Sequence, residues 1–284
     1  MINNLILKES GSCTKPKGRH LPIPIGFCQD GSVKELDVLE TCPYRLYISG
    51  VPGSGKSTLL QNIVANGALR YSPDELIYYL LDADNQGTFD CFRQIPHVKM
   101  VSSSDDASIA KDVLEWFVKE ENKRIALFRD NDVSNIECYN EKAIQGGMTR
   151  LPYCFFIIDD YHRVIGCDRN SILVNLLGKG GSHITGIAII IAGPVYSMIS
   201  DDRIWRRFVG TKIALKSDKN ESITLLGNDK ATLLDGVGCA IVNTTEYDEE
   251  GEYNEEIHVA NIDGKIDLPV IIQMIEEKYG VKKV

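Results

Sequence analysis

No stretch constrains the fold of this chain more than residues 44–64, YRLYISGVPGSGKSTLLQNIV. An apolar run meets Gly50-Val51-Pro52-Gly53-Ser54-Gly55-Lys56-Ser57, which fits G-x-x-x-x-G-K-[ST], and a helix-like pattern follows. Glycines at these positions let the backbone turn so tightly that successive N–H groups point at one phosphate. Lys56 would then reach the β- and γ-phosphates, and the Ser57 hydroxyl would ligate Mg²⁺. A helix starting near Gly55 adds its positive N-terminal end. Gly50 to Ser57, with Thr58 next in the helix, are therefore the candidate binding residues for ATP and Mg²⁺. The alternative is a glycine-rich turn with no ligand, which three glycines followed by Lys-Ser make hard to sustain.

A loop of this type also needs a carboxylate at the end of a neighbouring strand to complete the metal shell. The run CFFIIDD supplies one. Four apolar residues lead into Asp159, the candidate metal-side acid, and Asp160 stands where a water-activating carboxylate belongs. Asp160 and Lys56 are thus the candidate catalytic residues, and Ser57 and Asp159 the candidate metal ligands. The competing reading of the pair is a helix cap.

Around these motifs, apolar strands alternate with helical patterns. LIYYLLDAD, PYCFFIIDDY and GIAIIIAGP read as strands. DDASIAKDVLEWFVKEENKRIALFR reads as a long amphipathic helix, and RNSILVNLLGKGG as a shorter one. That alternation requires a mostly parallel sheet covered by helices on both faces, an α/β fold. LPIPIGF and SVKELDVL, joined by QDGS, predict an antiparallel hairpin ahead of the core. Beyond Thr211, the segments TKIALK, ITLLG and GCAIVNT are expected to be short strands closing one edge. TTEYDEEGEYNEE reads as an exposed hairpin or loop, and LPVIIQMIEEKYGVKKV as a C-terminal helix with cations at its dipole-favoured end. Residues 1–20 read as a linker or frayed start, and 21–284 as a single domain.

The net charge of −9 weighs against a surface built to grip a phosphodiester backbone. Arg203, Arg206 and Arg207 form the nearest thing to a basic stripe, and a solvated helix face or subunit contact accounts for them. The eight cysteines are scattered without C-x-x-C or zinc-site spacing and read as reduced thiols of a cytosolic environment. No apolar run reaches the roughly 20 residues a membrane span needs, so a membrane role would require other segments. Trp205, Phe208, Leu233 and Leu234 could line a peptide groove, although core packing is the commoner fate of such side chains.

These residues resemble the FtsK/SpoIIIE motor domains, and most closely the ATPase modules of the EssC/EccC proteins of type VII secretion. The resemblance runs from about Leu21 to about Asn243. It rests on LPIPIGFCQDGSVKELDV, YSPDELIYYLLDAD, IPHV with VSSSDDA, NKRIALFRDNDVSNIECYN, SHITGIAIIIA and FVGTKIALK. It implies a RecA-like P-loop NTPase core working in a ring or tandem array, with ATP at each interface. The implied partners are neighbouring ATPase modules and secreted protein substrates, with no nucleic acid, at the cytoplasmic face of a membrane reached through other segments.

Three departures from the family pattern bear on catalysis. Glu commonly follows the metal Asp, whereas Asp160 is one methylene shorter. That sets its carboxylate about 1.5 Å back, where misplacement by about 1 Å already matters. The family's ATQRP stretch appears as Ala192-Gly193-Pro194-Val195-Tyr196, without Gln or Arg, and Pro194 offers no N–H to a γ-phosphate. An arginine that can serve a neighbouring site corresponds to His183, and loss of such a finger can cost about 10³–10⁵ in rate. The phosphate cradle is kept and the hydrolytic trigger altered. This pattern predicts a module that binds ATP–Mg²⁺ with slow or partner-dependent hydrolysis, acting in substrate recognition or assembly gating. A DNA translocase motor and a nucleotide-stabilised scaffold are the competing readings.

Overall fold

The computed structural model describes residues 21–41, 44–103, 107–161, 184–195, 209–245 and 248–281, without side chains for 107–114. The linker at 1–20, Cys13, Cys42, Cys167, the helix expected over RNSILVNLLGKGG, His183, Tyr196, the arginine stripe, Trp205 and Phe208 lie outside the described residues.

Among the described residues, ten strands form one sheet in the order β2-β1-β10-β9-β8-β3-β7-β6-β4-β5. They are β1 (Ile23–Cys28), β2 (Val33–Leu36), β3 (Arg45–Ser49), β4 (Leu76–Asp82), β5 (Val98–Ser103), β6 (Tyr153–Asp159), β7 (Ile187–Ala192), β8 (Thr211–Leu215), β9 (Cys239–Asn243) and β10 (Glu255–Val259). The six from β8 to β5 in that order are mutually parallel. The other four pair antiparallel, and β9 joins them to β8. The α-helices among the described residues are α1 (Lys56–Arg70), α2 (Ala107–Asp130), α3 (Ile136–Gly146), α4 (Lys219–Leu226) and α5 (Asp267–Tyr279).

Strand side chains alternate between two cores, as the period of two requires. Leu46, Ile48, Leu80, Phe155 and Ile157 face one core with Leu59, Leu60 and Ile63 of α1, Ile136 and Tyr139 of α3, and Ile271 of α5. Tyr47, Ile77, Leu81, Phe156 and Ile189 face the other with Phe117 of α2 and Leu225 and Leu226 of α4. Helices thus cover both faces, as expected, and the α/β class holds.

The structure corrects the strand expected at ITLLG. Ile223–Leu226 lie in α4, whose N-cap Asp218 accepts from the Glu221 N–H at 2.9 Å. Five residues of mostly apolar character do not distinguish a strand from a short helix, and the cap decides it. The hairpin β1–β2 forms, and β10, a strand the sequence did not announce, ties it into the sheet. Among the described residues no helix is long and apolar enough to cross a membrane.

Candidate phosphate-binding site

β3 ends in the middle of the sheet, where the chain turns through residues 50–55 into α1. Gly50, Gly53 and Gly55 take φ of +153°, +77° and +110°, backbone that an L side chain rarely adopts. A Cβ on Gly50 would lie 2.5 Å from Ser54 Oγ. The loop is fastened from outside: Val51 N–H donates to Lys216 O (2.8 Å) and Gly238 N–H to Ser54 O (3.1 Å). α1 opens with no side-chain cap, so its first N–H groups remain available to an anion.

Above the loop lies a cavity of about 670 Å³. Gly50, Val51, Pro52, Gly53, Gly55, Lys56, Ser57 and Thr58 all line it, whereas Ser54, the remaining candidate in this run, is buried beneath. Lys56 Nζ donates to Gly50 O at 2.8 Å and to Val51 O at 3.4 Å, folded back over its own loop.

The sheet brings Asp159 to the same place from 102 residues away. It ends β6, and its Oδ2 accepts from Ser57 Oγ at 2.8 Å and from Thr88 Oγ1 at 3.1 Å. Asp159 is buried, and its Oδ1 has no hydrogen-bond partner. Burial pushes its pKa up to about 6, with the charges of Asp160 and Asp82 adding to the rise and the two hydroxyl donors opposing it. An orphaned carboxylate oxygen beside a serine hydroxyl, both hard oxygen donors, fits a divalent cation such as Mg²⁺.

Asp160 lines the cavity with φ +50°, a left-handed conformation that aspartate tolerates better than most residues. Pro194 also lines it. Tyr161 holds this end of β7: its hydroxyl donates to Pro194 O at 2.8 Å, and a Cβ on Gly193 would lie 2.6 Å from its ring. Tyr47 donates to Gly193 O at 2.8 Å.

Thr88, Asp84, Asp218, Glu221 and Val237 belong to this neighbourhood and were not picked out from the sequence. Glu221 is the most buried of the added cavity-lining acids. It accepts from Val195 N–H at 3.2 Å, and burial raises its pKa while Lys56 and the Gly50 N–H favour its charged form. Its one sequence signal was the D-x-x-E spacing from Asp218, a capping pattern hidden by the strand reading of the region. Leu234 is buried in the core as anticipated, and Leu233 is exposed.

The family model described as "FtsK/SpoIIIE family" matches residues 11–268. The chain is 29% identical over 267 residues to the ESX secretion system protein EccC of Geobacillus thermodenitrificans, covering 85% of this chain and 18% of that protein. It is 30% identical over 228 residues to YukB, an ESX secretion system protein of Bacillus subtilis, covering 77% and 15%. Among solved structures, the cytoplasmic domain of the type VII secretion ATPase EccC of Thermomonospora curvata superimposes with a TM-score of 0.76 at 20% identity, over 92% of this chain and 32% of that one. EccC ATPases 2 and 3 from that organism, in complex with a signal sequence peptide, give 0.74 at 17%, over 96% and 50%. The pCW3 conjugation coupling protein TcpA with ATPγS gives 0.69 at 19%, over 91% and 71%. The chain spans less than a fifth of the length of the curated relatives it matches.

Proposed function

The chain belongs to the FtsK/SpoIIIE family, and from that premise we propose that it is an ATP–Mg²⁺-binding module of a type VII protein secretion coupling ATPase. The observation that carries the reading is the Ser57–Asp159 hydrogen bond at the mouth of the phosphate loop, with Asp159 Oδ1 left unpaired. In this reading the loop N–H groups and Lys56 hold the β- and γ-phosphates, Ser57 and Asp159 hold the metal, and Thr88 fixes the Asp159 carboxylate. The TcpA relative in fold was solved with ATPγS, which supports a nucleotide as occupant.

Hydrolysis by this module is slow or dependent on a partner. Asp160 and Pro194 both line the cavity; as the water-activating carboxylate Asp160 would act with a side chain one methylene short, and Pro194 brings no N–H. Its role is then substrate recognition or assembly gating beside neighbouring modules. A signal sequence peptide bound to an EccC relative supports secreted proteins as the partners.

The test pairs MgATP calorimetry with steady-state turnover on this chain and on Lys56→Ala. The expected result is binding that Lys56→Ala abolishes, with turnover near background. Brisk turnover stimulated by DNA, with DNA binding that collapses as salt rises, would replace the secretion reading with a DNA translocase. No binding by the unchanged chain would leave a scaffold.

A further inference from the structure

The sheet order gives the cavity a direction. The phosphate loop hangs from β3, and the metal-side acid Asp159 ends β6, two strands to one side through β7. In P-loop enzymes the metal bridges the β- and γ-phosphates, so the γ-phosphate belongs on the β7–β6 side. The rest of a nucleotide must then run the other way, towards β8 and β9.

What stands there is the turn Gly236-Val237-Gly238, immediately before β9. Both glycines take positive φ, +95° and +87°. The turn is pinned on two sides: Gly238 N–H donates to Ser54 O in the phosphate loop (3.1 Å), and Gly238 O accepts from Val259 N–H of β10 (2.8 Å). A Cβ on Gly55 would sit 3.7 Å from Gly238 N, so turn and loop pack at van der Waals distance. Val237 lines the cavity and is 77% exposed, more than any other large apolar side chain among the described residues. A rigid turn thus holds an apolar group out of the core at the end of the phosphate cavity away from the metal.

Resting on the nucleotide reading of this cavity, we infer that Val237 is the platform for the nucleoside half of the ligand, packing against the face of its heteroaromatic base. The loop and Lys56 supply the charge interactions with the phosphates, and Val237 supplies the apolar contact that tells a nucleotide from a bare polyphosphate.

The test measures calorimetric affinity of this chain for MgATP and for magnesium tripolyphosphate, unchanged and as Val237→Ser and Val237→Leu. Val237→Ser is expected to weaken ATP about three- to tenfold while leaving tripolyphosphate unchanged, and Val237→Leu to hold or strengthen ATP. Retained tripolyphosphate binding shows that each variant is folded. Equal ATP affinity in Val237→Ser and the unchanged chain would overturn the inference, as would equal weakening of both ligands. Failure of the unchanged chain to bind either ligand would overturn the nucleotide reading, and the inference with it. Failure to bind tripolyphosphate alone, with ATP bound, leaves the Val237→Ser and Val237→Leu comparison on ATP to decide.

Discussion

Asp159 is held where its own charge is disfavoured. Burial, with two other acids nearby and one oxygen unpaired, pushes its pKa from the usual 3.8 up to about 6. The sign follows from proton counting. Between those values the folded chain holds a proton that the unfolded chain has released, so this group's contribution to stability is fully present below about pH 4. It is lost as pH rises towards 6, a difference of about 3 kcal/mol. Asp159→Asn keeps an acceptor for Ser57 and Thr88 and carries no charge. In metal-free buffer, denaturant unfolding from pH 4 to pH 7 should therefore show the variant gaining on the unchanged chain, most of the gain appearing by pH 6.5. A constant difference across that range would mean that Asp159 is not burdened by burial. The sequence exposed this residue and the loop for a local reason: positive-φ glycines and a strand running into an acid constrain residue types at fixed spacing. Glu221 and Thr88 were not legible, because each acquires its role from contacts 26 and 71 residues away in the chain.

At the scale of elements, α1 must carry the uncapped end that faces the cavity and yet lie close against the sheet. Gly67 makes that approach possible: a Cβ there would come within 2.0 Å of the Tyr78 hydroxyl of β4 and 3.0 Å of Ile23 Cδ1. Gly67→Ala, which in an exposed helix would add about 1 kcal/mol, is here expected to cost about 1–3 kcal/mol through overpacking. Tyr78→Phe removes the hydroxyl that clashes and only a 3.3 Å hydrogen bond to Ile63 O. The double variant should recover most of the loss, and urea unfolding of the four proteins closes the cycle. Additive losses would show that the side chains of Ile23 and Leu76, not the hydroxyl, refuse the methyl.

Elements announced by their own side chains were the legible ones. The apolar strands β3, β4, β6 and β7 and the helices α1, α2 and α5 came from period and composition. β10 (EEIHV) buries little beyond Ile257 and owes its place to backbone pairing with β9 and β1. Apolar patterning could not find it. The NIECYN stretch carries part of the likeness to relatives, and the fold gives that likeness a physical cause. Asn135 caps α3, Ile136 and Tyr139 enter the core, and the Asn140 amide grips both the N–H and the C=O of Leu151 ahead of β6.

The whole molecule carries a net charge of −9, and the cavity follows it. Among the described residues that line it, Lys56 is the one cation, facing Asp84, Asp160, Asp218 and Glu221, with Asp159 buried at its edge. A triphosphate brings further negative charge. On the proposed nucleotide reading, the loop dipoles and one ammonium would oppose that repulsion, while Asp159 would face the γ-phosphate and add to it. A divalent cation placed there changes the sign of both contacts, since its own charge dominates such a site. ATP in EDTA is therefore expected to bind at least about a hundredfold more weakly than MgATP, close to 3 kcal/mol. Added monovalent salt should narrow the gap by screening the acids around the cavity mouth, while leaving the buried Asp159 contact largely unscreened. Asp159→Asn should behave in the opposite sense, binding ATP in EDTA better than the unchanged chain and gaining less from magnesium. Calorimetry on the two proteins with and without EDTA makes the comparison. Equal affinity with and without metal would move the cation, and with it the γ-phosphate, away from Ser57 and Asp159.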